Sequence, residues 1–299
     1  MERKLVKQGN SALTITVPAK WIQKKRLSPG DTIQIEEKDG DLAVTTKSIP
    51  KKREVQISLK EKEETIVRMQ LNNIYRLGYD LVNVDYFGDK QKKIIEGLVN
   101  ETLLGFEIIE RKENRIIIEN LTEPSGDKQE AILKKIFYTI SESFTSLKGA
   151  MAGDKQEIKE LQRMTKKVSE YDNFYRRNIA KYQKGRNRSS IQWSLATRLL
   201  LLQRNIYHLS DKTKEISPKI YSPQIKRVKE SFDQIFSAYL RKDINKLNKL
   251  HEELNKHINN DLTTKLKSSK GEVTLYYHFL LQLVIKTSFL TANMTALLV

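Results

Sequence analysis

Residues 3–17 read RKLVKQGNSALTITV, and residues 18–47 continue PAKWIQKKRLSPGDTIQIEEKDGDLAVTTK. A basic run over 3–11 leads into an alternating strand over 12–17. Pro18 then opens a short helical stretch containing Trp21 and Ile22. Ser28-Pro29-Gly30-Asp31 makes a turn, and 32–36 alternates again. A second turn at Asp39-Gly40-Asp41 precedes a strand over 42–45. So short a segment buries little core alone. The pattern predicts a basic β module that needs a partner chain.

The chain has 299 residues, a formal net charge of +17 and no cysteine. Its length predicts two or three domains. The charge favours anionic partners without naming one. Disulfides, thiol catalysis and Cys-ligated zinc are excluded. No apolar signal-like region opens the chain, so a cytoplasmic protein is expected. The charge is unevenly spread. Residues 1–47 hold nine Lys/Arg and six Asp/Glu, residues 51–123 hold thirteen and fourteen, and residues 124–299 hold 32 and 17. The basic part is therefore the C-terminal one, either as a solvated lysine-rich surface or as a second face toward an anionic partner. Residues 280–299 (LLQLVIKTSFLTANMTALLV) have the length of a membrane span. Lys286 at its middle would be costly in lipid. A buried bundle helix explains the segment better, and no membrane insertion is expected.

Ser48-Ile49-Pro50 and the basic run after it predict a linker. A strand over 54–59, a helix over 61–77 closed by Gly78, a strand over 81–86, a helix over 90–103 and a hairpin of 106–111 with 115–120 follow. The order β-α-β-α-β-β predicts a small α/β domain over 51–123. It has no histidine and no glycine-rich phosphate loop. A ligand-sensing or dimerising module and a plain spacer both remain open. From Pro124 onward the periodicity is helical, over 127–152, 155–184, 190–215, 219–241, 243–266 and 272–298. Gly153, Gly185, Pro218, Pro223 and Gly271 punctuate these helices. Six helices divide into two sets of three, each ending in its most apolar helix, which suggests an internal duplication.

The opening segment resembles the swapped-hairpin DNA-binding domains of the SpoVT/AbrB and MazE-antitoxin type. The features that carry this are the early basic strand, Gly9-Asn10-Ser11, the strand ending at Pro18, the short helix with Trp21, and the Pro-Gly-Asp turn before a hairpin. That resemblance implies two chains interleaving hairpins into one barrel and presenting basic loops to DNA. A β module used only for dimerisation is the alternative. Over nearly its whole length the chain resembles archaeal regulators related to PhoU, the phosphate-uptake regulator. The residues concerned are Glu170-Tyr171-Asp172-Asn173-Phe174-Tyr175-Arg176-Arg177, Tyr79-Asp80 after Gly78, and Leu202–Leu209 (LQRNIYHL). The implied fold is α+β and multidomain: a dimeric swapped-hairpin barrel over 1–47, a small α/β domain over 51–123, and a six-helix all-α domain of two three-helix units over 124–299.

The same resemblance implies a glutamate and an aspartate four residues apart on the third helix of each repeat. That spacing places both on one helix face, where hard oxygen ligands hold metal ions. Gln203 and Tyr207 stand there in the first repeat, and Lys286 stands at the aspartate position of the second. An amide, a phenol and an ammonium are poor donors, so no metal and no cofactor is expected. Glu170 and Asp172, two apart, face different sides; pairing of either with Arg176, Arg177 or Arg204 is expected. His208, on a leucine-rich helix, is expected to be partly buried. His251 and His257 do not share a face, and no zinc spacing exists. No G-x-S-x-G, Walker or H-E-x-x-H motif occurs, so an enzyme is not expected.

These readings converge on a DNA-binding transcriptional regulator. Lys4, Lys7, Lys20, Lys24, Lys25 and Arg26 are the expected phosphate contacts, with Asn10 and Ser11 near base edges. The expected partners are DNA, a second copy of the chain joined through the N-terminal domain, and a phosphate transporter or signalling protein. The rival reading is a PhoU-type adaptor that docks on such a partner without binding DNA.

Overall fold

The computed structural model describes residues 2–9, 12–38, 40–46, 52–60, 63–122, 128–182, 188–213 and 218–299. The fold is mixed α+β. It separates into two compact units, Met1–Lys52 and Arg53–Val299. The segments 51–123 and 124–299 thus lie almost wholly within one unit.

In the first unit β1 (Val6–Gln8) pairs antiparallel with β2 (Ala12–Thr14), placing Lys7 opposite Leu13. The strand expected over 12–17 stops at Thr14, because the chain must turn into α1 (Ala19–Lys25). The amides of Trp21 and Ile22 bond the carbonyl of Pro18, which starts that helix. Arg26, with φ +54°, closes it in the left-handed region. Next, β3 (Ile33–Lys38) pairs with β4 (Asp41–Thr46), Ile35 facing Val44. The two hairpins are separate two-stranded sheets. No described residue of this unit is buried. Leu13, Ile15, Ile35 and Leu42 are 62, 57, 60 and 71% exposed.

The second unit begins with a four-stranded sheet ordered β5 (Glu54–Ser58), β6 (Leu81–Asp85), β8 (Arg115–Asn120), β7 (Phe106–Lys112). β5 and β6 are parallel; the other pairs are antiparallel. Two helices, α2 (Glu64–Arg76) and α3 (Asp89–Thr102), cover one face. Val67, Leu71 and Tyr75 meet Ile94, Ile95 and Leu98 over Val82, Val84, Ile116 and Ile118. The other face is polar, with Gln56 and Arg115 both donating to Asp85. Gly78, at φ +82°, ends α2 as expected.

Helices α4 (Gln129–Met151), α5 (Lys155–Tyr182), α6 (Ser189–Lys212), α7 (Pro218–Leu240), α8 (Ile244–Lys256) and α10 (Glu272–Leu298) share one core, and the short α9 (Thr263–Ser268) adds no buried residue to it. Asp154 caps the start of α5, and Asp243 that of α8. Phe137 on α4 stacks on Phe236 of α7 with centroids 4.3 Å apart. The helix expected over 243–266 is not uniform: a π-helical turn, His257–Leu262, separates α8 from α9.

By length and composition α10 could cross a membrane, yet half of its most apolar window is buried in the bundle. Its polar groups are met by neighbouring helices. Ser288 donates to Asn255 at 3.0 Å, His251 bonds Thr291 at 2.8 Å, and Asn205 donates to the carbonyl of Phe279 at 2.9 Å. A core helix uses polar residues in this way.

Candidate functional site

Lys20, Lys24 and Lys25 lie on α1 and are exposed, as is Arg26 behind it. Lys20 and Lys24, four apart, share a helix face. Trp21, Ile22 and Leu27 are half-buried and form the small apolar side of the segment. Lys4 precedes β1 and Lys7 lies within it; both are exposed. None of these six cations makes an ion pair among the described residues. Gly9 ends β1 at φ +69°. Asn10 and Ser11, the expected base-edge residues, lie outside the described residues.

The bundle positions expected to have lost a metal cluster are also defined. Gln203 is fully buried on α6. Its amide donates to Thr165 Oγ1 at 3.1 Å, and its Oε1 accepts no hydrogen bond among the described residues. Tyr207 is half-buried against the core. Lys286 donates to Gln282 at 2.9 Å, and burial pushes its pKa down. The donors are an amide, a phenol and an amine, a set that does not fit a divalent cation. Among the described residues no group of three His, Asp or Glu side chains is placed to hold one.

Asp172 pairs with Arg176 as expected, at 2.9 Å, and additionally with Arg76 of α2, at 2.9 Å. Burial pushes its carboxyl up, while Arg176 and Arg76 pull it down; the balance lies above the ordinary value. Glu170 pairs with Lys167 instead of an arginine. His208 is exposed, not partly buried. It lies four residues from exposed Arg204, on the face of α6 turned away from Leu202, Ile206 and Leu209.

Sequence reasoning missed a second cluster. Arg177 on α5 donates to Asp80 at 2.7 Å and to the carbonyls of Tyr75 and Tyr79. Lys181 reaches the same carboxylate at 2.6 Å. Burial raises the Asp80 carboxyl, but the bonds from Lys181 and the Arg53 amide, with the charges of Lys181 and Arg177, outweigh it and leave it below its ordinary value. The signal was the run from Asp172 to Ile179, in which every residue is buried. A helical run of eight residues buried all round with five charged or amide side chains must be covered by something polar.

No family model matches the chain, and neither a curated protein nor a solved structure does.

Proposed function

We propose that the protein is a homodimeric, DNA-binding transcriptional regulator, joined through its N-terminal unit, with the helical unit sensing a signal or docking a partner. The observation that carries this reading is the first unit itself. Leu13, Ile15, Ile35 and Leu42 are exposed there, and no described residue of that unit is buried. Exposed large apolar side chains on so small a unit call for a partner surface. A second copy, interleaving its own hairpins, would close the sheets into one barrel and remove four strand edges. The six cations on and beside α1 and β1, which make no ion pair among the described residues, then suit phosphate contacts, which fix register on a duplex. The PhoU-like resemblance of the remaining chain suggests phosphate uptake as the regulated process.

Fluorescence anisotropy of the full chain against genomic DNA fragments, including its own upstream region, at two salt concentrations tests this. Salt-dependent binding that prefers some fragments over bulk DNA supports a regulator. Weak binding that vanishes at physiological salt favours the adaptor that docks on a transporter or signalling partner.

A further inference from the structure

Between α2 and α3 of the α/β layer and α5 and α6 of the bundle lies a cavity of about 700 Å³. Arg68, Arg76, Lys166 and Arg204 line it, against one lining carboxylate, Glu101. The charges are unequally satisfied. Lys166 meets Glu101 at 3.2 Å, and Arg68 meets Glu64 at 2.7 Å. Both pairs are solvent-exposed, and such pairs yield easily to a competing anion.

The rear wall is more constrained. Arg76 donates through Nε to Asn173 and through one Nη to Asp172. Three of its five N–H donors are left uncommitted by these bonds. Asp172, 1% exposed, serves Arg76 and Arg176 together, and Arg204 stands within reach of its charge. Arg204 itself makes no ion pair or hydrogen bond among the described residues. Two guanidiniums thus share one buried carboxylate beside an open cavity, with a third, Arg204, close enough to feel its charge. Asn173 also donates to Asn72 and to the carbonyl of Thr102, which holds this wall in place across α5, α2 and α3.

We propose that this cavity binds a small organic phosphate of about mononucleotide size. Guanidinium forks match phosphate oxygens with paired N–H bonds, and an anion here would balance the excess charge around Asp172. The volume falls in the range of small-molecule sites and exceeds what a lone phosphate ion fills. Met69, 55% exposed, and Leu98 give the same cavity an apolar wall for the organic part. A ligand held there touches α2 and α3 on one side and α5 and α6 on the other, so its binding ties the α/β layer to the bundle. This site is independent of DNA binding by the N-terminal unit.

Isothermal titration calorimetry of the full chain with ADP in metal-free buffer tests the proposal. Adenosine, inorganic phosphate and citrate serve as comparison ligands. One-site saturable binding of ADP is expected, with adenosine silent and phosphate and citrate at least about tenfold weaker. Arg204→Gln and Arg68→Gln should each weaken ADP by about tenfold or more. Lys226→Gln, an exposed lysine of α7, should leave ADP binding unchanged, which controls for bulk charge. Circular dichroism checks that the variants fold. No saturation by ADP at millimolar concentration, or equal binding by Arg204→Gln, overturns the site. Phosphate or citrate binding as tightly as ADP overturns the organic-phosphate assignment.

Discussion

Arg177 and Asp80 are 97 positions apart in sequence and 2.7 Å apart in space. Their bond fastens the C-terminal part of α5 to the residue just before β6. The Arg177 side chain is 1% exposed, and its guanidinium also lies over the rings of Tyr75 and Phe106. A buried cation of this kind depends on its counter-ion. Together with the Arg76–Asp172 pair, the bond makes the α/β layer and the bundle one compact unit.

Asp80→Asn should therefore destabilise the second unit by about 3 kcal/mol, because the cation stays buried after its carboxylate is gone. Urea unfolding followed by circular dichroism measures this. The pH dependence has a definite sign. The Asp80 carboxyl sits below its ordinary value in the folded protein. Its contribution is complete above the unfolded carboxyl pKa, about 4, and is lost as pH falls through the lower folded value. The parent should lose stability across that acid range, and Asp80→Asn should lose less. Parallel pH curves for the two proteins would contradict the assignment.

Ile35→Asp places a charge on the exposed face of β3, opposite Val44. In the single chain Ile35 is already 60% exposed, so the fold of one chain has little to lose. In an interleaved dimer the same charge would be buried without a partner, at a cost of about 2 kcal/mol or more. Sedimentation equilibrium should show the variant shifted to monomer, with circular dichroism of the helical unit unchanged. A variant that dimerises like the parent would move the dimer contact elsewhere.

Much of this architecture was readable because its punctuation is local. Gly153, Pro218 and Gly271 bound the helices, and the expected spans differ from the observed ones by at most three residues at most ends. The α/β order was readable because each strand alternates and each helix has one apolar face. The Asp172–Arg176 pair was accessible because both lie one turn apart on α5. Arg177–Asp80 and Arg76–Asp172 were not, since each joins two elements whose contact only tertiary packing decides. The π-helical turn at His257–Leu262 likewise leaves no mark in composition. His208 was misjudged from its leucine-rich surroundings: the register of α6, not the neighbourhood in sequence, sets its exposure.

Lys24→Ala removes one exposed cation from α1 without touching Trp21 or Ile22, the residues that pack that helix. Loss of one phosphate contact should weaken binding to all DNA sequences alike and flatten the dependence of log K on log salt by about 1. Anisotropy titrations over a salt series give both quantities. Unchanged affinity and slope would remove Lys24 from the interface, and the same comparison applied to Lys20, one turn earlier on the same face, maps its extent.

Lys286 is a half-buried amine whose one hydrogen bond goes to Gln282, a turn earlier on α10. No carboxylate faces it through an ion pair among the described residues. Burial lowers its pKa, so the folded state holds the proton less tightly than the unfolded chain does. The resulting penalty is full below the folded pKa and disappears as pH rises past the unfolded value, about 10.4. Stability from this group therefore increases toward alkaline pH. Lys286→Met keeps the unbranched stem and removes the charge, so it should stabilise the protein by about 1 kcal/mol at neutral pH. That gain should shrink as pH approaches 10. Thermal unfolding of parent and variant at pH 7 and pH 10 measures both effects, and a loss of stability at pH 7 would mean that the ammonium has an anionic partner.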